Sequence, residues 1–322
     1  MTPPSGVEAA EALPAVALAR PAPARARRRR GAASGRPGAA QYALLAPAQL
    51  LLLGLILLPA IYVGWMSLHS ASFAGDWTFV GLANFRALLA DGVFWHAAWN
   101  TFWVVNAVVY GEMLLGLGLA LLLSGWMPCR RLLIALLIAP YAINEVSAVV
   151  MWRFVLEPDI GMVSWTMASL GLGQLDWSAD PFDALTLAAI LSIWIHTPFT
   201  FLILYAALQA VPRDQMEAAT VDGAGAWQCF WHVRLPFILP SLLVALLFRY
   251  ITAMRIFSEV WLLTEGGPAR MTEVLAVYLY RAAFRYHEFG LASATGLAML
   301  ILSLAVAMPY LYQAWQRMFR HA

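Results

Sequence analysis

The sequence predicts an all-α polytopic membrane protein with six transmembrane helices and both termini on the cytoplasmic side. Three observations carry that expectation. First, 62% of the 322 residues are apolar and 12% are charged, against roughly 45–50% and about 25% in soluble domains. Second, six apolar segments reach the about 20 residues that a spanning helix needs, over 43–67, 98–124, 132–154, 184–210, 237–263 and 289–315. Third, the arginines are uneven. With the N-terminus inside, thirteen arginines fall in cytoplasmic segments and five in outer loops, and the outer loops hold ten carboxylates. The opposite orientation would invert the positive-inside bias.

The elements follow in order. Residues 1–42 are rich in Ala, Pro and Arg, with an unbroken basic run from Arg27 to Arg30. They have too little large apolar surface to fold and are expected to be a disordered cytoplasmic tail. Its charge suits anionic lipid headgroups, and no apolar stretch with a cleavage site follows directly, as a secretory signal would require. Residues 43–316 form the transmembrane domain, and 317–322 a short cytoplasmic tail. The outer loops, at about 68–97, 155–183 and 264–288, carry Trp77, Phe79, Trp95, Trp165, Trp177 and Phe284, which suit interfacial anchoring. Ala292 and Gly296, four apart in the sixth span, allow close helix approach.

Several functions are excluded or disfavoured. A net charge of +2 suggests no nucleic-acid partner. The chain has no lysine, and a P-loop needs one to reach the phosphates, so it supplies no standard P-loop ATPase. Cys129 and Cys229 fall in segments placed in the reducing cytoplasm, where a disulfide is disfavoured. His232 alone makes no metal site with them.

Between the fourth and fifth spans lies a polar island, 213–235. Pro212 suits the start of a helix, and Arg213 to Val221 are good helix formers. Ala218 and Ala219 leave the backbone nearly bare for a partner to approach. Gly223 can take positive φ and turn the chain, and Asp222 can cap the helix that follows. Trp227, Phe230 and Val233 then share one side, and Leu235-Pro236 ends the second helix and opens the fifth span. Taken alone, the segment reads equally as a generic interfacial loop.

Five ionisable residues fall inside spans: Glu112, Glu145, Arg249, Arg255 and Glu259. Each costs on the order of 2.5–3.5 kcal/mol at mid-membrane, so they either pair or line a hydrated cavity. Arg255 and Glu259, four apart, can pair on one helical face. Arg249 can pair with Glu112 or Glu145. In the fourth span Ser192, His196 and Phe199 share a face beside Pro198, which frees backbone groups and is expected to kink the helix.

The run Glu217-Ala218-Ala219-x3-Gly223, followed by Val233-Arg234-Leu235-Pro236, resembles the EAA loop of the permease subunits of ABC importers, with Val233 where the family has isoleucine. The resemblance extends over about 43–316. Gly81-Leu82-Ala83-Asn84-Phe85, Asn100-Thr101, Leu262-Leu263-Thr264-x-Gly266-Gly267-Pro268, Thr272-Glu273-x-Leu275 and Tyr278-x-Tyr280 resemble the carbohydrate-type subfamily. Ser164 departs from it where asparagine is frequent. The chain also carries neither the extra N-terminal spans nor the large outer domain of some maltose-type members.

The resemblance implies a type I ABC importer permease fold in the bacterial cytoplasmic membrane. It implies that Glu217, Ala218, Ala219, Asp222, Gly223, Leu235 and Pro236 couple to an ATPase, and that Ser192, His196, Phe199, Arg249, Thr252 and Ala253 line a sugar pathway. The implied partners are a second permease, two ATPase subunits and an extracytoplasmic solute-binding protein. The chain itself would bind no cofactor and catalyse nothing; ATP and Mg would be used by the ATPase subunits. The rivals are an ATP-independent transporter or channel, which favours inverted repeats and paired broken helices that the sequence does not display, and a membrane enzyme, for which Glu145 and His196 are unconnected candidates.

Overall fold

The structure, a computed structural model, describes residues 39–72, 75, 77–125, 127–171 and 176–319. The expected disordered tail, with its Arg27–Arg30 run, lies outside them up to residue 38, as does Arg320. Two compact units divide the chain, Met1–Leu55 and Ile56–Ala322.

The fold is helical, as expected. The first unit contributes the start of α1 (Ala39–Ser67), whose Leu50, Leu51 and Leu53 are exposed, as suits a helix facing lipid. In the second unit, α1 ends at a small antiparallel hairpin, β1 (His69–Ser70) with β2 (Thr78–Phe79), which the all-α expectation did not include. Next come α2 (Ala83–Ala90) and α3 (Gly92–Ser124). Asp91 starts α3 early by accepting from the Val93 N–H at 2.8 Å. Helix α7 (Pro181–Gln209) is capped likewise by Asp180, with Pro181 in its first turn.

Helices α3 and α7 pair at the centre. Gly116 makes this possible: a Cβ there would sit 2.9 Å from the Thr200 side chain and 3.1 Å from the Phe201 nitrogen. Gly111 approaches Ile193 in the same way. Small residues set the closest helix approach here, deeper in the fold than the Ala292–Gly296 pair of the sixth span.

Two expected spans are interrupted. The third is α4 (Arg130–Ile138) with a 3₁₀ turn (Ala139–Ala142), followed by α5 (Glu145–Val155) at 99° to it. Pro140 lies in the turn. The Asn144 side chain caps α5, accepting from Val146 N at 3.0 Å and Ser147 N at 3.4 Å. The described residues thus hold five helices long and apolar enough to cross a membrane, or six counting this bent pair.

The fifth span is a helical run over Ala226–Thr264 that contains α9 (Ala226–Cys229), a π turn (Phe230–Arg234), α10 (Leu235–Ala253) and α11 (Ser258–Thr264). It loses regularity at Met254–Phe257, where Phe257 has φ −139° and ψ −55°. Helix α7, by contrast, runs unbroken through Pro198. Broken helices are therefore present, at places other than the one proline singled out.

The outer side is closed by α6 (Met162–Ser169), α12 (Leu275–Tyr280), a π turn (Arg281–Arg285) and the start of α13 (Phe289–Phe319). Trp177, expected at the interface, is buried instead, its indole N–H donating to Leu156 O at 2.7 Å. Both cysteines are free, Cys129 exposed and Cys229 buried.

Candidate functional site

Distant sequence motifs meet at the outer side. The Asn100 amide donates to the carbonyls of Met271 and Glu273, at 2.8 and 2.9 Å. The Thr101 hydroxyl accepts from Leu275 N at 2.8 Å. Glu273 is fully buried and forks onto Arg270 at 2.6 and 2.9 Å, with Arg281 at 3.9 Å. This carboxylate holds the Arg270 guanidinium above its ordinary pKa. Tyr278 donates to Asp91 at 2.7 Å. Burial first, and then this bond, push its phenol up. Asn84 clamps the end of α1 through Ser67 O and His69 O, at 2.8 and 2.9 Å.

Between the spans, Arg249 turns its guanidinium inward. Its Nη2 donates to Glu112 at 2.6 Å and its Nε to the other oxygen of the same carboxylate. Glu112 is 0% and Arg249 3% exposed, so this is a desolvated, bidentate pair. Thr252 accepts from Arg249 Nη1 at 3.0 Å and stays half-buried. Ala253 packs with Val105, Val109 and Met113, and Ser192 is buried.

His196 bonds back to Ser192 O at 3.0 Å. Phe199 is half-buried between two rings, Phe248 at 4.9 Å and Tyr141 at 6.2 Å centroid distance. Phe199, Phe248, Tyr141 and Thr252 thus bring the break of the third span together with the fourth and fifth spans. Tyr141 and Phe248 were not among the expected pathway residues. Tyr141 follows Pro140 in the turn, and Phe248 directly precedes Arg249.

The expected Arg255–Glu259 pair does not form. The loss of helical regularity between them destroys the four-residue spacing. Glu259 is 2% exposed, with one carboxylate oxygen unpartnered among the described residues. Arg255 is exposed.

The polar island is a helical hairpin. Helix α8 (Arg213–Val221) has no buried residue. It ends in a Schellman motif: Gly223 N donates to Thr220 O at 3.1 Å, and Ala224 N to Ala219 O at 2.9 Å. Gly223 sits at φ 81°, as its place in the turn predicted. Asp222 does not cap the next helix, because α9 starts only at Ala226. Instead the Gln228 side chain reaches back to Gly225 N at 2.9 Å.

Pro236 opens α10 as expected, but no helix ends before it. In the π turn before it, Leu235 N donates five residues back to Phe230 O. That wider turn accommodates a proline in the first turn of α10. Glu217, Ala218, Asp222, Gly223 and Pro236 are exposed, and Ala219 and Leu235 half-buried. Val221 and Trp227 are 87% and 72% exposed.

Comparisons with known proteins agree with this architecture. A family model described as "Binding-protein-dependent transport system inner membrane component" matches residues 100–320. The trehalose/maltose transport system permease protein MalF of Thermococcus litoralis is 32% identical over 274 residues, covering 84% of this chain and 92% of that one. The sulfoquinovosyl glycerol transport system permease protein SmoG of Agrobacterium fabrum is 33% identical over 270 residues, covering 83% and 88%. Among solved structures, a bacterial ABC transporter involved in import of the acidic polysaccharide alginate superposes with a TM-score of 0.75 at 22% identity, covering 85% of this chain and 94% of that one. The chain belongs to the family of binding-protein-dependent transport system inner membrane components, as a multi-pass permease of the cytoplasmic membrane.

Proposed function

We propose that this chain is one of two permease subunits of a sugar importer, moved by ATP that two partner ATPase subunits hydrolyse. The observation that carries the coupling half is the hairpin at α8 and α9. It leaves Val221 and Trp227 uncovered beside exposed Glu217 and Ala218. An exposed apolar pair on a rigid, Schellman-capped hairpin is the surface a partner cleft would cover. Glu217, Ala218, Ala219, Asp222, Gly223, Leu235 and Pro236 belong to it. The permease needs no nucleotide or metal of its own.

The sugar half rests on the aromatic trio Tyr141, Phe199 and Phe248 beside Thr252, together with relatives whose names specify trehalose/maltose and sulfoquinovosyl glycerol. Aromatic faces and a hydroxyl suit a di- or oligosaccharide handed over by an extracytoplasmic binding protein. His196 lies three residues before Phe199 and bonds back to Ser192 O. Ser192, Arg249 and Ala253 hold the walls from within. Closure of the ATPase dimer would drive the two hairpins together and open the pathway outward, and hydrolysis would reset it.

One second reading has an observation in its favour. The interrupted third and fifth spans are also what an ATP-independent transporter uses. Purification of the chain from its native membrane separates the two. The proposal expects an ATP-hydrolysing subunit and a second permease to co-purify, and disaccharide uptake in proteoliposomes to stop without nucleotide. Uptake that continues without ATP would establish the second reading.

A further inference from the structure

The arginines near the proposed sugar pathway are engaged. Arg249 gives Nε and Nη2 to Glu112 and Nη1 to Thr252. Arg153, further along α5, donates to Leu262 O at 2.8 Å and lies over the Trp177 ring. Arg255 lines a separate pocket, walled by Leu279, Met299 and Leu300 of α12 and α13. Two carboxylates, by contrast, are left over. The ion pairs among the described residues take in Glu112, Glu273 and Glu265. Glu145 and Glu259 are in none of them. Glu145 is half-buried at the start of α5. Glu259 is buried, with one oxygen unpartnered among the described residues.

Packing sets both beside one stretch of α7. Helices α5 and α11 pack on α7 and on each other. Ala148 and Val149, three and four residues after Glu145, join Leu191 and Ile195 of α7 in one core cluster. Before the bend, Tyr141 meets Phe199, one turn beyond Ile195. Glu145 lies between these two contacts, level with Ile195 and His196. Leu263 of α11 belongs to the same cluster, and Glu259, four residues before it, shares its face. His196 brings no counter-charge in its neutral ring. Ser192 O can only accept, so Nδ1 donates to it and Nε2 is an acceptor. The wall beside the aromatic trio thus carries negative charge with no cation opposite it.

We infer that this wall makes the pathway select sugars without negative charge, with Glu145 as the specificity-determining residue and Glu259 reinforcing it. The inference rests on the sugar pathway proposed above. An uncharged di- or oligosaccharide offers hydroxyl donors that Glu145 and His196 accept. A uronate, a sulfonate or a phosphorylated sugar brings an anion to a site whose arginine is already neutralised by Glu112, and like charges there repel.

The test reads the local potential and needs no sugar. Cys129→Ser and Cys229→Ser remove the native thiols, and Phe199→Cys introduces one reporter. The full chain with its co-purifying subunits is kept in nonionic detergent, which opens both ends of the pathway to reagent. It is treated with the cationic trimethylammonium-ethyl methanethiosulfonate or the anionic sulfonatoethyl reagent. Mass spectrometry of this chain follows each rate, and 2-mercaptoethanol supplies the reference ratio. A unit charge within about 6 Å separates the two reagents by about tenfold even at the dielectric of water. The expected cation-to-anion ratio is therefore about tenfold or more above the reference. Glu145→Gln should lower it by about threefold or more, and Glu259→Gln added to Glu145→Gln should lower it further, while Glu145→Asp should keep it. A ratio at or below the reference, a ratio unmoved by Glu145→Gln, or no reaction with either reagent would each overturn the inference. If Phe199→Cys fails to assemble on gel filtration, Tyr141→Cys, at an exposed position in the turn, decides. Failure of the sugar reading itself shows separately, as absent disaccharide uptake by the wild type.

Discussion

Glu112 and Arg249 are the residues on which the interior depends most directly. Each alone would be a bare charge in a low-dielectric span, and together they form a bidentate pair sealed from solvent. Replacing one partner strands the other. Glu112→Gln or Arg249→Gln should each destabilise the chain by about 3–5 kcal/mol, while the double substitution should recover part of that loss. Denaturation of the purified protein in detergent reads both. Single variants as stable as the wild type would contradict the pairing. The sequence placed both residues inside spans and offered Glu112 or Glu145 as partners. It could not choose, because the choice depends on which faces of α3 and α10 meet.

At the scale of elements, hydropathy located the apolar segments and was blind to their breaks. Pro140 followed by Asn144-Glu145 is a turn and an N-cap, legible as such, but an uninterrupted apolar average covers it. Helix α7 continues through Pro198, so that proline marks no break in the span. The loss of regularity at Met254–Phe257 has no proline or glycine to announce it, and this is why the Arg255–Glu259 spacing misled. The glycine turn at Gly223 was legible because the chain needs positive φ there. Asp222 was misassigned by a turn three residues longer than expected.

The meeting of the third, fourth and fifth spans at Tyr141, Phe199 and Phe248 supports an element-scale prediction. Phe199→Ala and Thr252→Ala should each raise the sugar concentration for half-maximal uptake, by about tenfold for the lost ring if stacking contributes on the order of 1 kcal/mol or more. His196→Ala should act more weakly, because its ring is tied back to Ser192 O. Complex assembly, checked by gel filtration, should not change. Uptake at wild-type rates across sugar concentrations in all three variants would move the pathway elsewhere, first to Asn144 and Glu145 at the third-span break.

At the scale of the whole molecule, family membership, the helical hairpin and the outer-side network describe one machine part. Asn100–Thr101 joined to Met271–Leu275 ties the second span to the segment after the fifth. These motifs are far apart in sequence, so only the folded chain shows why they occur together. The central claim is that work done elsewhere enters this chain through its 213–235 hairpin. The most direct measurement follows ATP hydrolysis and sugar uptake together, in proteoliposomes with the complete complex, for wild type and Gly223→Val. Valine at φ 81° is strained by on the order of 1–3 kcal/mol. The account predicts normal membrane insertion, a fall in uptake of about tenfold or more, and loss of the stimulation of hydrolysis by sugar-loaded binding protein. Wild-type uptake with wild-type stimulation in Gly223→Val would contradict it.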